Sequence, residues 1–390
     1  MAKGKTYDVV VVGAGVFGAW TAFQLARRGQ SVLLLDAYGP GNSRASSGGE
    51  SRIIRMGYGA DELYTRWAMR SLLQWKQLFA ETLRSPALFQ ETGVLWLGNK
   101  DDVGFKQMTA VLSRCKVPFE LLSGSAIGQR YPQFNSHDLG VGILETESGV
   151  LMGRRAVAAV VERAVSLGVE YHQALVARPG RADTRSSRLD AISTGDGERI
   201  SAGQFVFACG AWLGKIFPEI LGPRIFPSRQ EVFFFGVPPG DHQFSTGSLP
   251  TWLIPADEVY GMPDLESRGF KIAFDGHGER VDPDTQTRVV STESIERVRE
   301  YVAKRFPALA KAPIVETRMC QYENTSNGDF LIDRHPEMHN VWFAGGGSGH
   351  GFKHGPAFGE YVAQQMLDGG PAETRFALAS KATEQRRAVY

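Results

Sequence analysis

Between Arg318 and Lys353 the chain reads RMCQYENTSNGDFLIDRHPEMHNVWFAGGGSGHGFK, which puts a thiol, an apolar run, a glycine-rich turn and an amine into one short span. Near the other end, Val9, Val10, Val11 and Val12 lead into Gly13, Gly15 and Gly18, and a second apolar run, residues 32–35, finishes at Asp36. The G-x-G-x-x-G spacing permits a tight turn at its first glycine, approach of backbone to a pyrophosphate at its second, and close helix packing at its third. Phosphate then sits on the helix N-terminus, where free N–H groups favour an anion. Asp36 can accept a hydrogen bond from a ribose hydroxyl and argues against a 2′-phosphate. The chemistry is therefore dinucleotide binding, with NAD and FAD both open.

Elements of both periodicities must position these residues. The valine run suits a parallel strand buried on both faces, and Ala19, Ala22, Phe23 and Ala26 mark a helix that ends near Gly29. Residues 61–83 predict a long helix whose stripe of Leu63, Trp67, Leu72, Trp75 and Phe79 packs into a core. A second amphipathic helix spans 154–167 and closes at Gly168, and residues 204–208 form a strand running into Cys209-Gly210-Ala211. Residues 93–97, 231–237, 270–274 and 341–344 are strand-like. The interleaving predicts an α/β chain, α+β overall, whose nucleotide domain is discontinuous. It comprises 1–85, 150–225 and 325–390, with 86–149 and 226–324 forming a mixed-sheet substrate domain.

Bulk properties narrow the partners. Lys+Arg 43 against Asp+Glu 42 leaves a net charge of +1 over 390 residues, which argues against nucleic acid or an anionic membrane and for a small molecule. Cys115, Cys209 and Cys320 are too widely spaced for a disulfide framework or a metal cluster, so no metal and a reducing compartment are expected. The first strand begins at once, and no apolar run approaches membrane-spanning length. A soluble, cytoplasmic protein is expected.

Strand alternation sorts the reactive side chains. Arg318, Cys320 and Tyr322 share one face. Phe270, Ile272 and Phe274 face one way and Lys271 the other, which a sheet edge would also allow. Arg52 lies one turn from Arg55 if that segment is helical.

Taken in order, GAGVFG, SRIIR at residues 51–55, the 260–284 region, MCQYENT and GSGHGFK resemble the D-amino-acid oxidase superfamily, and most of all its monomeric sarcosine oxidase group. That group includes N-methyltryptophan, pipecolate and fructosyl-amino-acid oxidases. The resemblance implies a monomer with a Rossmann-like FAD-binding domain. It implies FAD contacts at Gly13, Gly15, Val16, Phe17, Gly18, Asp36, Ser46, Gly49 and Val176, and at Gly347, Gly349, His350, Gly351, Phe352 and Lys353. Arg52 would lie against the flavin ring, and Cys320 would carry a thioether to the flavin 8-methyl carbon. Arg55 and Lys353 would hold a substrate carboxylate, Lys271 would activate O2, and Tyr260 and Tyr322 would line the substrate cavity.

Two residues depart from the group. Asp275 stands where a histidine is usual, and Glu323 where a threonine is common. Asp275 shares a strand face with Lys271 and could pair with it or with Arg280, and alternation turns Glu323 away from Tyr322. The expected substrate is therefore not sarcosine but an amine bearing a further amine or hydroxyl, or a bulkier secondary amino acid. The expected activity is an FAD-dependent oxidase that yields an imine and H2O2. The alternatives are a dehydrogenase of the same fold serving a protein acceptor, and a non-catalytic flavin-binding subunit.

Overall fold

A computed structural model of the chain describes residues 6–82, 87–180, 183–276 and 278–385. The valine run becomes the strand Tyr7–Val12, parallel to Val32–Asp36 on one side and to Arg199–Phe207 on the other. Glu170–Gln173 extends this sheet in parallel, as does Val341–Gly345 at the opposite end, and Leu331–Arg334 closes that edge antiparallel. Val9, Val10 and Val11 are fully buried, as a strand covered on both faces requires.

The glycine turn works by close approach. Gly13 has φ +105, and a Cβ there would lie 2.3 Å from the Ala208 carbonyl oxygen. Gly18 sits inside the helix Val16–Arg27, where a Cβ would meet the Gly13 carbonyl oxygen at 1.8 Å. A Cβ on Gly15 would touch only Ser47 Oγ, at 3.3 Å, so this position opens toward a cavity. The glycine-rich turn near the C-terminus leads into the helix Gly355–Leu367, and Gly359 in it lies against the backbone of Trp20.

A second sheet starts at Ile314–Asn324 and runs through Phe226–Phe235, Phe270–Phe274, Val259–Met262, Thr251–Ile254, Val94–Gly98 and Val141–Glu145 to Phe119–Ser123. Phe270 and Ile272 point into an aromatic cluster with Phe134, Phe244, Trp252 and Phe306, beneath the helix Thr292–Arg305. Lys271 points the other way. Its strand is interior, pairing Lys271 with Phe234 on one side and Met262 on the other, so a sheet-edge position is ruled out.

Three sequence expectations are revised. Arg52–Ile54 is a short strand paired with Gly149–Leu151, not a helix, so Arg52 and Arg55 are not related by a helical turn. The strand expected over 231–237 starts five residues earlier, because Phe226–Phe235 pairs along its length with Ile314–Asn324. The helix expected over 61–83 is Glu62–Glu81, capped by the Asp61 carboxylate on the N–H groups of Leu63 and Tyr64; residues 83–86 lie outside the described residues.

Replacing Gly18 by alanine tests the close packing. In an open helix the change would gain about 1 kcal/mol, but here the methyl group meets a carbonyl oxygen, and overpacking costs about 1–3 kcal/mol or more. Gly18→Ala is expected to lower the denaturation midpoint; an unchanged or raised midpoint would refute the contact.

Candidate active site

Two cavities meet at a shared wall of Arg52, Tyr322, Gly349 and Phe352. The larger, about 400 Å³, is lined by Gly13, Gly15, Val16 and Phe17 at the start of the first helix, by Asp36 and Val176, by Ser46, and by Gly347 and Gly351. The smaller, about 80 Å³, takes Arg55, Tyr260, Lys271, Asp275, Cys320, His350 and Lys353 into its walls. Gly18 lines neither, since it is spent on helix packing. Gly49 lies behind Arg52, where a Cβ would collide with the guanidinium. Cys320, His350 and Lys353 border the smaller cavity rather than the larger.

At the far end of the larger cavity, Asp36 Oδ2 accepts from Ala14 N at 2.8 Å, and Oδ1 accepts from the N–H groups of Tyr38 and Gly39. The carboxylate thus holds its own loop while still facing the cavity. Burial pushes its pKa up, and these three N–H groups oppose the shift.

Around the smaller cavity the cations are held by neutral groups. Lys271 is 3% exposed and donates from Nζ to both the carbonyl and the hydroxyl of Ser51, at 3.1 Å each. Desolvation, reinforced by Arg52, drives its pKa well below the ordinary lysine value. Arg52 donates to Ser46 O at 2.7 Å and lies 3.6 Å from Cys320 Sγ. Arg55 lies between two rings, its guanidinium 4.5 Å from the Tyr58 centroid and 4.6 Å from that of Trp96, and donates to Gly57 O.

Lys353 Nζ donates to Tyr58 Oη at 2.8 Å and to His350 O at 2.9 Å. The same hydroxyl lies 2.7 Å from His354 Nε2 and 3.2 Å from His350 Nδ1. His350 Nε2 faces the Gly328 carbonyl, which can only accept, so in the neutral ring Nδ1 is left to accept the Tyr58 proton. His354 then donates from Nε2, and burial with Lys353 nearby keeps its pKa well below the ordinary histidine value.

Asp275 is bonded to neither Lys271 nor Arg280 in the described contacts; its Oδ1 accepts the Tyr322 hydroxyl proton at 2.7 Å. Burial and the Asp275 charge raise the pKa of both Tyr322 and Tyr260, so both phenols keep their protons. Cys209 lines the larger cavity and points its thiol at Val12 O, 3.5 Å away.

Sequence reasoning missed Ser51, Tyr58, Trp96, Glu145 and His354. Ser51 and Tyr58 flank the arginines in SRIIRMGY, so proximity could have marked them. Glu145 has no sequence signal. It is fully buried and accepts from Met56 N, Gly57 N, Trp96 Nε1 and Ser148 Oγ, fixing both the loop after Arg55 and the ring beneath it.

Comparisons with known proteins give the family and the fold. Residues 8–365 match the family model described as FAD dependent oxidoreductase, and the chain belongs to that family. It is 32% identical over 372 residues to a monomeric sarcosine oxidase of Bacillus sp. (strain B-0618), covering 93% of each chain. It is 26% identical over 375 residues to N-methyl-L-tryptophan oxidase of Salmonella arizonae, covering 94% of this chain and 96% of that one. The solved structure of L-proline dehydrogenase from P. horikoshii superposes with a TM-score of 0.82 at 23% identity, covering 96% and 97% of the two chains. The fold is thus the mixed α/β fold of these FAD enzymes, and the chain is an FAD-dependent oxidoreductase.

The residues present fit FAD. The larger cavity is glycine-lined where a pyrophosphate approaches the first helix, and two buried polar atoms in its wall, Ser46 Oγ and Glu323 Oε1, have no hydrogen-bond partner among the described residues.

Glu145 gives a direct test of how the arginine is supported. Glu145→Ala leaves the donors of Met56, Gly57 and Trp96 buried and unpaired, and at about 1–3 kcal/mol per unsatisfied donor is expected to destabilise the fold by about 3 kcal/mol or more in denaturant titrations. Glu145→Gln retains an acceptor and should cost about 1–3 kcal/mol. Equal, small effects would remove Glu145 from this role.

Proposed function

We propose that this enzyme oxidises a secondary (N-substituted or cyclic) amino acid or a related amine, and that reduced FAD is reoxidised by O2. One observation carries the reading: Arg55, Lys353, Lys271, Tyr260 and Cys320 line one small cavity that shares a wall with the glycine-lined cavity. Bound FAD would be held by Gly13, Gly15 and Ser46 at its phosphates and by Arg52 and Gly347 to Phe352 at its ring, and it would accept the hydride equivalent.

The chain's own residues do the rest. Arg55 and Lys353 bind the substrate carboxylate, each charged hydrogen bond contributing roughly 1.5–3 kcal/mol. That clamp places the C–H bond beside nitrogen against the flavin. Tyr260 and Tyr322 wall in the amine and exclude water. Loss of a hydride equivalent from carbon and of the proton from nitrogen gives an imine, and two electrons with two protons convert O2 to H2O2. Lys271, held by Ser51, presents a proton to the negative charge that develops on dioxygen.

Asp275 supports a substrate other than sarcosine. It lines the small cavity as an anion where the related group carries a histidine, and so suits a further amine or hydroxyl. Cys320 is the proposed tether: its thiol would form a thioether to the 8-methyl carbon of bound FAD, with the S–H and one C–H hydrogen lost as two protons and two electrons and O2 as the electron acceptor. The likeness to monomeric sarcosine oxidases supports a monomer, and three free cysteines among the described residues suit the reducing cytoplasm.

Oxygen consumption with a panel of amines tests the activity. Turnover of larger or cationic secondary amino acids ahead of sarcosine is expected, with H2O2 formed stoichiometrically; a preference for sarcosine would refute the role of Asp275. Acid precipitation should leave yellow flavin in the pellet for the parent and in the supernatant for Cys320→Ala. Lys271→Met should slow reoxidation by O2 by about 10²-fold or more, on the scale of losing one electrostatic stabiliser, while leaving reduction by amine nearly unchanged. Equal slowing of the two half-reactions would remove the oxygen role.

A further inference from the structure

Glu323 departs from the related group, and its place in the fold separates it from the substrate. It lines the larger cavity and not the smaller, whereas Tyr322, on the other strand face, borders both. It is 5% exposed, and its carboxyl lies against the glycine turn, where a Cβ on Gly345 would stand 2.4 Å from Oε1. The N–H groups of Gly346 and Gly347 point at the carboxyl, and Oε1 has no hydrogen-bond partner among the described residues.

The other charged and titratable groups sharing this cavity are Asp36, Tyr38, Arg52, Cys209, Lys215, Tyr322 and Asp284. Lys215 is bound to Asp282 and Asp284, and Arg52 to backbone carbonyls and Cys320. None of them ion-pairs with Glu323 among the described residues. A buried anion without a cation is costly, whereas a protonated carboxyl gains a donor.

We propose that Glu323 is a cofactor-binding residue that keeps its proton and donates it to an oxygen on the flavin half of FAD, either a ribityl hydroxyl or a ring carbonyl. The inference rests on the FAD reading of the larger cavity. It makes binding pH-dependent. Burial raises the Glu323 pKa from 4.5 to about 7, opposed by the two glycine N–H groups. Below about 7 the donor is present; above it, each pH unit removes a factor of about ten from the donating form, and FAD affinity falls with it.

The test uses the full chain carrying Cys320→Ala, so that flavin exchanges freely, and measures FAD affinity by quenching of flavin fluorescence from about pH 6 to about pH 9. With Glu323 in place, affinity should be flat below about pH 7 and weaken about tenfold per unit above it. Adding Glu323→Gln keeps a neutral donor and should abolish the pH dependence, leaving binding tight at about pH 8.5. Adding Glu323→Leu should weaken binding at about pH 6. Identical pH profiles for the glutamate and glutamine chains would overturn the proposal, and the isosteric amide makes that comparison valid even where the leucine chain fails to fold. A chain that binds NAD in place of FAD at every pH would overturn the FAD reading itself.

Discussion

Burying several cations around one small cavity is the constraint on which the rest of this structure depends. An ammonium or guanidinium taken from water costs several kcal/mol, and a carboxylate partner would offset that cost but cancel the field. Here Arg52 and Arg55 have no ion-pair partner among the described residues and rest on carbonyls and aromatic faces, while Lys271, whose charge burial and Arg52 disfavour, rests on the Ser51 carbonyl and hydroxyl. Neutral acceptors hold the geometry and leave positive potential directed into the cavity, where an acidic substrate and an electron-rich oxygen would meet it.

The buried anion nearest in role stands one layer behind. Glu145 reaches the site through the Met56 and Gly57 amides and through the Trp96 ring that carries Arg55, so it orients the guanidinium without neutralising it. Tyr58 joins the two cations proposed to bind the substrate carboxylate, its ring under Arg55 and its hydroxyl on Lys353. A residue that touches both couples their positions, so one error in packing would move both.

What was legible in the sequence follows from where the physics is local. The glycine turn could be read because three positions each answer a separate steric demand, and at Gly13 and Gly18 an added Cβ would stand under 3 Å from a carbonyl oxygen. The strand carrying Lys271 was legible from alternation, but its interior place was not, because neighbours in a sheet come from distant residues such as Phe234 and Met262. Glu145 and Trp96 stayed invisible for the same reason: each acts on Arg55 across the fold. The extended form of SRIIR depends on pairing with Gly149–Leu151, which no local propensity reveals.

Asp275 gives the cavity its second pole. With cations at Arg55 and Lys353 and an anion hydrogen-bonded to Tyr322, the lining is not uniformly positive. A uniformly positive pocket would hold any carboxylate in several orientations. A two-signed pocket favours a ligand whose own charges are separated along its length, because reversing it sets like charges together at both ends. The Tyr322–Asp275 bond also fixes the phenol that forms the wall toward the larger cavity, so the group proposed to select the substrate's polarity also shapes the boundary between the two cavities.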